Sequence, residues 1–460
     1  MQHPSEGGQQ TIAREDQDPR RSGSADSARE TATGPTADLL VVMPHLGAGG
    51  AQRVVTLLLN YWHRQGVKVS LLTLFPETDA FPLDAGITRC DYIPKEEASS
   101  GQTQLGKLYF RMQEKLEEQR ESGSKASERI AGAGLTVLEW VRQARAYVLS
   151  HFFPLRITLA SPRVKWLRQR FEEKRPAVII SFLGGSNIQT LLAARDLGIK
   201  VVISERNDPA LQRLDPPWQR LRPKIYPQAD LVTANSVGAL KHMPYVPVHK
   251  RRQVANPLLI PPCPQGTERG HNRFVYVGRL IKQKAPEVLL AAFARIAGDL
   301  PNWRLDIVGD GDMRAELEAS AKAEGLAGRI SFHGQQPDVF PYLYAASVFV
   351  LPSRFEGMPN AMLEAMGCGL AIIISDASPG PLELIRDGQT GLVVPVDDAQ
   401  ALSAAMRRLG SDHLLRERLQ QAALTVTDQM TLPQVAADWE DMIDSLGVTW
   451  LGRAGDRHSD

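Results

Sequence analysis

A chain of 460 residues with 53 Lys and Arg against 52 Asp and Glu, 43% hydrophobic and 23% charged, has the composition of a soluble globular protein, long enough for two or three domains. A net charge of +1 speaks against a general nucleic-acid binder. The scattered Cys90, Cys263 and Cys368 exclude a disulfide framework and point to a reducing compartment, and no stretch approaches the ~18 apolar residues of a membrane span.

Residues 1–37 lack the apolar region of a secretory signal and hold one large aliphatic residue besides Met1, Ile12. They cannot bury enough surface to offset their ordering entropy, so a disordered tail is expected there. Order is predicted to begin with an apolar strand at Asp38–Met43, followed by the loop Pro44–Gly50 and a helix carrying Val54, Val55, Leu58 and Leu59 on one side. Further strands are predicted at Val67–Leu74, Ala177–Phe182, Lys200–Ser204 and Leu231–Asn235. A proline-rich, basic break covers Pro244–His271. The strand–helix rhythm then restarts at Arg273–Val277, Arg304–Val308, Ile330–Phe332, Ser347–Leu351, Leu370–Ser375 and Leu392–Val394.

This alternation predicts an α/β protein of two doubly wound, Rossmann-like domains, at 38–258 and 259–430, whose facing strand ends form a cleft. The segment 95–165 fits the rhythm poorly and reads as an insertion. Val141–Arg175 carries nine Lys and Arg against two acids, mixed with Tyr147, Phe152, Phe153 and Trp166. It reads either as a solvated cover of the domain or as a patch for an anionic membrane surface, although Val164, Leu167 and Phe171 recur at packing spacing.

The chemistry concentrates in Ser353–Gly369. Pro359 suits the start of a helix and Gly367 its end, which places Glu364 on a short helix otherwise made of Ala, Met and Leu. No Lys or Arg occurs from Phe355 to Ile385. A carboxylate so placed is costly unless hydrogen-bond donors come from elsewhere, and the two hydroxyls of a ribose would supply them. Glu356 precedes the same helix. Upstream, Gly278 ends a strand and is followed by Arg279, Lys282 and Lys284, cations well placed for a diphosphate. The Gly47–Gly50 loop could present backbone N–H groups to phosphate, but Gln52 breaks a GxGxxG fingerprint. Asp310-Gly-Asp312 has the look of a metal-binding pair, and a polar turn explains it equally well.

Taken in order, the Gly-Gly loop, Arg279, Lys284 and Glu356-x7-Glu364 resemble family 4 of the retaining glycosyltransferases, which have the two-domain GT-B fold. Ser204–Pro209, Asn256-Pro257, Val308–Gly311, His333-Gly334 and Gly388-x-x-Gly391 extend the resemblance over about 38–445. The family implies hexosyl or N-acetylhexosaminyl transfer, with retention, from a nucleoside-diphosphate sugar to a glycan or polyprenyl-linked acceptor in surface polysaccharide synthesis. A GT-B sugar-nucleotide epimerase and a non-catalytic subunit of a glycan-assembly complex are the alternatives. The resemblance implies that Arg279 and Lys284 hold the pyrophosphate, Glu364 the ribose and Glu356 the donor sugar. Gly278, Gly357, Met358 and Pro359 would complete the donor site, with Gly49 and Gly50 facing it from the first domain. A helix over 431–448 would cross back to that domain, leaving 449–460 as a tail. No obligatory metal or cofactor is expected, and the expected location is cytoplasmic, on the inner membrane face if 141–175 binds lipid. The histidine common after the fourth strand of the first domain is missing. Asn187, Glu205, Arg206 and Asn207 are the candidates for the acceptor side.

Overall fold

The structure is a computed structural model that describes residues 39–93, 161–212, 214–263 and 272–448. The tail 1–37, nearly all of the 95–165 insertion and the tail 449–460 lie outside the described residues. The first domain is a seven-stranded parallel sheet of order β3-β2-β1-β4-β5-β6-β7. Its strands are β1 (Leu39–Met43), β2 (Val69–Thr73), β3 (Thr88–Asp91), β4 (Val178–Phe182), β5 (Lys200–Glu205), β6 (Leu231–Ala234) and β7 (Arg251–Gln253). Helices α1 (Gly50–Arg64), α2 (Pro162–Lys174), α3 (Gly184–Ala194), α4 (Pro216–Ile225) and α5 (Val237–Lys241) connect them. Both faces of the sheet are covered, which is why the central strands are continuous apolar runs. Along β1, Leu39, Val41 and Met43 enter one core and Leu40 and Val42 the other, the period of two that a strand imposes.

The second domain is a six-stranded parallel sheet of order β10-β9-β8-β11-β12-β13. It is built from β8 (Arg273–Val277), β9 (Arg304–Val308), β10 (Ile330–Gly334), β11 (Val348–Leu351), β12 (Ala371–Ser375) and β13 (Leu392–Val394). Its helices are α6 (Pro286–Ile296), α7 (Arg314–Ala323), α8 (Phe340–Ala345), α9 (Asn360–Gly367), α10 (Pro379–Leu382), α11 (Ala399–Ser411) and α12 (His413–Thr427). In each sheet the order reverses at the first strand of the domain, and the strand ends there form the crevice in which such folds bind ligands.

Two strands escape the sequence reading. β3 and β7 are the edges of the first sheet, with Thr88, Asp91, Arg252 and Gln253 exposed, so neither shows an apolar run. β7 falls inside the stretch read as a break between domains. The chain leaves β7 through Asn256-Pro257, and Leu258 pairs with the strand-like approach to α13 (Leu432–Asp444): its N–H reaches the Met430 carbonyl at 2.7 Å, and the Leu432 N–H returns to the Leu258 carbonyl at 3.1 Å. α13 then packs into the first domain. Trp439 is fully buried against Phe182, Trp62 Nε1 donates to Glu440 at 3.1 Å, and Val435, Ala436 and Ile443 enter the core of α1 and β1. Each such fully buried side chain contributes about 1.5–3 kcal/mol, so the last helix fastens the two domains together.

Of the basic segment 141–175, only its end is described. Val164, Leu167 and Phe171 on α2 are buried in the first domain, and Arg168 and Arg170 pair with Glu172 and Glu173 at 3.0 and 2.6 Å. This part is domain packing; residues 141–160 lie outside the described residues. Among the described residues no helix is long and apolar enough to cross a membrane.

Candidate active site

The floor of the cleft is the end of β8 and the turn that follows. Gly309 lies at φ 137°, and a Cβ there would sit 1.9 Å from the Gly278 carbonyl. The glycine after β9 therefore lets the 278–280 loop lie flat on its neighbour. Arg279 emerges from that loop exposed and makes no ion pair among the described residues. Lys282–Lys284 forms one 3₁₀ turn, stitched to the loop after β11 because Gln283 bonds the Phe355 carbonyl at 3.0 Å and accepts at its own carbonyl from the Arg354 N–H at 2.8 Å.

This stitching brings Lys284 to Glu356. Nζ and Oε1 are 2.5 Å apart, with the side chains only 16% and 6% exposed. Ser353 donates its hydroxyl to the same Oε1 at 2.6 Å, and the Glu356 N–H donates to Ser378 Oγ at 3.0 Å. One carboxylate oxygen is thus held by Lys284 and Ser353 and the backbone by Ser378, beside the exposed Arg279 loop. Gly357 follows immediately and meets the first domain: a Cβ there would be 2.2 Å from the Arg206 carbonyl.

Pro359 is the N-cap of α9, and Met362, Leu363, Ala365 and Met366 bury the helix in the domain core. Glu364 is itself 5% exposed. The sequence shows no local counter-charge for it, and none is found on its own helix; the counter-charge comes from the other domain. Arg53, in the first turn of α1, crosses the cleft and places Nη1 3.1 Å from Glu364 Oε1. Its guanidinium sits against two rings, Phe81 of the first domain at 5.8 Å and Phe340 of the second at 5.4 Å. Burial still dominates, and Asp338 adds repulsion, so the Glu364 carboxyl is pushed up to about 7 even though Arg53 pulls it down.

The Gly-Gly loop faces this helix. Asn360 Nδ2 donates to the Gly50 carbonyl at 2.9 Å, and Asn256 from the interdomain linker donates to the Met358 carbonyl at 2.9 Å and to Asn360 Oδ1 at 2.6 Å. These contacts bring Gly50 to the start of α9, Gly357 and Met358 to the first domain and its linker, and Glu364 to Arg53, while Lys284 and Glu356 meet beside Arg279.

The acceptor-side candidates fare differently. Asn187, Glu205 and Arg206 are buried and engaged inside the first domain, and this corrects their placement on the cleft surface. Asn187 donates to the Ser204 carbonyl at 3.0 Å. Glu205 accepts from the Tyr226 hydroxyl, lies 3.8 Å from Arg222 Nε, and is raised by burial above the usual carboxylate range. Arg206 is flanked by Phe182 and Trp439 and donates to Asn256 at 2.9 Å; burial lowers it to about 9. These residues hold the hinge and the end of β5 in place. Asn207 alone of the four is half-buried, against Gly357. The Asp310 carboxylate takes the Gly311 N–H and the Arg314 guanidinium, both at 2.8 Å, so it closes a turn before α7.

Several functional-looking groups carry no motif. On the hinge side, Asp208 orients His242 at 2.7 Å beside a cavity of about 440 Å³ lined by Val237, Gly238, Lys241, His242, Pro379 and Glu383. Glu383 spans the domains there, accepting from the N–H groups of Val237 at 3.2 Å and Gly238 at 2.7 Å. For Arg53 a signal did exist: it is the single charged residue from Gly50 to Trp62, directly after the Gly-Gly loop.

Comparison with known proteins agrees with this geometry. Residues 48–257 match the model described as Glycosyltransferase Family 4, and residues 264–426 match Glycosyl transferases group 1. The chain is 29% identical over 286 residues to the GalNAc-α-(1→4)-GalNAc-α-(1→3)-diNAcBac-PP-undecaprenol α-1,4-N-acetyl-D-galactosaminyltransferase of Campylobacter jejuni, covering 60% of this chain and 77% of the relative. It is 37% identical over 143 residues to the lipopolysaccharide core biosynthesis glycosyltransferase LpsE of Rhizobium meliloti, covering 31% and 41%. The fold is shared with Anabaena HepE in complex with UDP and glucose, at a TM-score of 0.66 and 15% identity over 89% of this chain and 100% of that one. With both of its halves matched and a GT-B architecture around one cleft, the chain belongs to the family 4 glycosyltransferases.

Proposed function

We propose that the protein transfers a hexosyl or N-acetylhexosaminyl group from a nucleoside-diphosphate sugar, with retention of configuration, to a glycan or polyprenyl-linked acceptor of a surface polysaccharide. The observation that carries this reading is the meeting of Lys284 and Glu356 at 2.5 Å beside the exposed Arg279. The pyrophosphate would lie over the end of β8, with Arg279 and Lys284 as its counter-ions. Lys284 then bridges the charge that grows on the leaving diphosphate and the carboxylate that receives the donor sugar hydroxyls. Charge stabilisation and positioning lower the barrier, with no protein nucleophile required. A donor phosphate oxygen takes the proton of the attacking acceptor hydroxyl on the same face. The two side-chain cations perform the neutralisation a divalent metal performs elsewhere, so no metal enters this mechanism. Support for the donor class comes from HepE, whose structure holds UDP and glucose, and for the acceptor class from the undecaprenol-linked substrate in the name of the Campylobacter relative. With such an acceptor, the proposed reaction runs at the cytoplasmic face of a membrane, reached peripherally. On the acceptor side the half-buried Asn207 is the remaining candidate. Incubation with UDP- and GDP-sugars and membrane lipid, followed by nucleotide release and anomeric analysis of the product, tests the proposal; no release across the panel, or an inverted product, defeats it.

A further inference from the structure

We propose that Arg53 is a positioning residue for the donor ribose, reaching from the opposite domain to hold the Glu364 carboxylate, so that the nucleoside site is complete only when the two domains are closed. This rests on the proposed donor class and on the role the family resemblance implies for Glu364, that of taking the ribose. Three observations carry it. Arg53 Nη1 is 3.1 Å from Glu364 Oε1, across the cleft rather than along one helix. The guanidinium is held between Phe81 and Phe340, one ring from each domain, so its position depends on both. Finally, α1 begins at Gly50, whose carbonyl accepts from Asn360 at the start of the very helix that carries Glu364.

The electrostatic surroundings leave Arg53 no substitute. α9 carries no charge besides Glu364, and α8 carries none. Asp338, in the loop before α8, repels the carboxylate. α12, which packs on α9, has its charges at His413, Arg416, Glu417 and Arg418 in its first turns, and none of them acts on Glu364. Arg53 is the cation that favours the ionised form of this buried group, against burial and Asp338. A protonated carboxyl would offer a donor of its own and accept poorly from two ribose hydroxyls.

The test measures binding of UDP and GDP, and of the 2′,3′-dideoxy form of whichever binds, to the full chain by calorimetry from pH 6 to 9. Wild type, Arg53→Gln and Arg53→Lys are compared, with circular dichroism to confirm folding. In wild type, affinity should fall as pH drops through about 7. In Arg53→Gln that fall should move to higher pH, giving about a threefold loss at pH 7.5 that is recovered toward pH 9, the effect there of roughly one unit of displacement. Arg53→Lys should restore part of it, and the dideoxy nucleotide should show no Arg53 dependence. A loss that is equal at every pH or equal for the dideoxy form, an unchanged profile, or tighter binding by Arg53→Gln overturns the inference while leaving the donor reading intact. Failure of the wild type to bind either nucleotide overturns the donor reading and this inference with it.

Discussion

Removing Lys284 should cost the second domain far more than removal of an ordinary surface lysine. Exposed ion pairs are worth about 0–1 kcal/mol, whereas deleting one partner of a buried pair costs about 3–5 kcal/mol because the other charge stays behind. The Lys284–Glu356 contact belongs near the second class: at 2.5 Å, its side chains are 16% and 6% exposed. The Ser353 hydroxyl at 2.6 Å and the Ser378 contact to the Glu356 backbone soften the loss, so Lys284→Ala is expected at the lower end, about 3 kcal/mol. For a domain of this size that lowers Tm by about 6–12 °C. Glu356→Gln alone should cost less, since Lys284 retains some water contact, and adding it to Lys284→Ala should recover most of the stability. Urea unfolding of the four proteins yields the coupling energy directly. A coupling below about 0.5 kcal/mol would refute the reasoning, because it would mean the pair is solvated like a surface bridge. The same cycle read by nucleotide binding should not show recovery, since the double variant lacks one of the two cations proposed for the diphosphate.

Gly357→Ala should separate closure from folding. Its Cβ would lie 2.2 Å from the Arg206 carbonyl, and Arg206 is clamped by Asn256, Phe182 and Trp439, so the neighbour cannot yield. Steady-state kinetics should show kcat/KM reduced by about tenfold or more, the 1–3 kcal/mol typical of overpacking, and an unchanged value would show that this contact is absent during turnover. With Arg279 and Lys284 proposed as the positive charge at the diphosphate, transfer should also survive excess EDTA; a loss reversed by added divalent cation would contradict that assignment.

The fold was legible where chemistry is local. Parallel strands covered on both sides are mostly apolar, and the interior strands of both sheets announce themselves that way, even β9 with Asp306 at its centre. β3 and β7 do not, because an edge strand needs only one apolar side or none. Within the site, the glycine after β8, the cations that follow it and Glu356 before α9 are readable because each sits at a strand end or helix start, and Glu364 because its helix is otherwise apolar, settings fixed by neighbours in sequence. What they touch is not readable in that way. Lys284 and Glu356 are 72 positions apart, and Arg53 meets Glu364 only because two domains fold toward each other. The absence of a local cation around Glu364 was read correctly from the sequence, but it bears on one domain, and the counter-charge came from the other. Asn187, Glu205 and Arg206 show the opposite failure. Polar residues at the end of a strand suggested a ligand, while the tertiary fold uses them to satisfy the hinge and the start of α3.

Glu364 also sets the sign of a pH effect that ties stability to function. Its carboxyl is pushed up from an ordinary value of 4.5 to about 7 in the folded chain. The folded state therefore binds this proton more tightly than the unfolded state between those values. By linkage, the group's contribution to stability is greatest at acidic pH and is lost as pH rises toward 7, above which the folded protein carries the full cost of a buried charge. A displacement of that size corresponds to on the order of 3 kcal/mol, with the opposing pull of Arg53 already included. Glu364→Gln removes the ionisation, so it should raise Tm at pH 8 relative to wild type and lose that advantage at pH 5, while nucleoside diphosphate affinity at pH 8 falls. Thermal unfolding of both proteins across pH 5–8, with calorimetric titration at pH 8, measures the two effects. If the variant is destabilised at pH 8 as strongly as at pH 5, the Arg53 ion pair outweighs the burial of the carboxylate. Glu364 is then a structural tie between the domains rather than a strained group kept for a ligand.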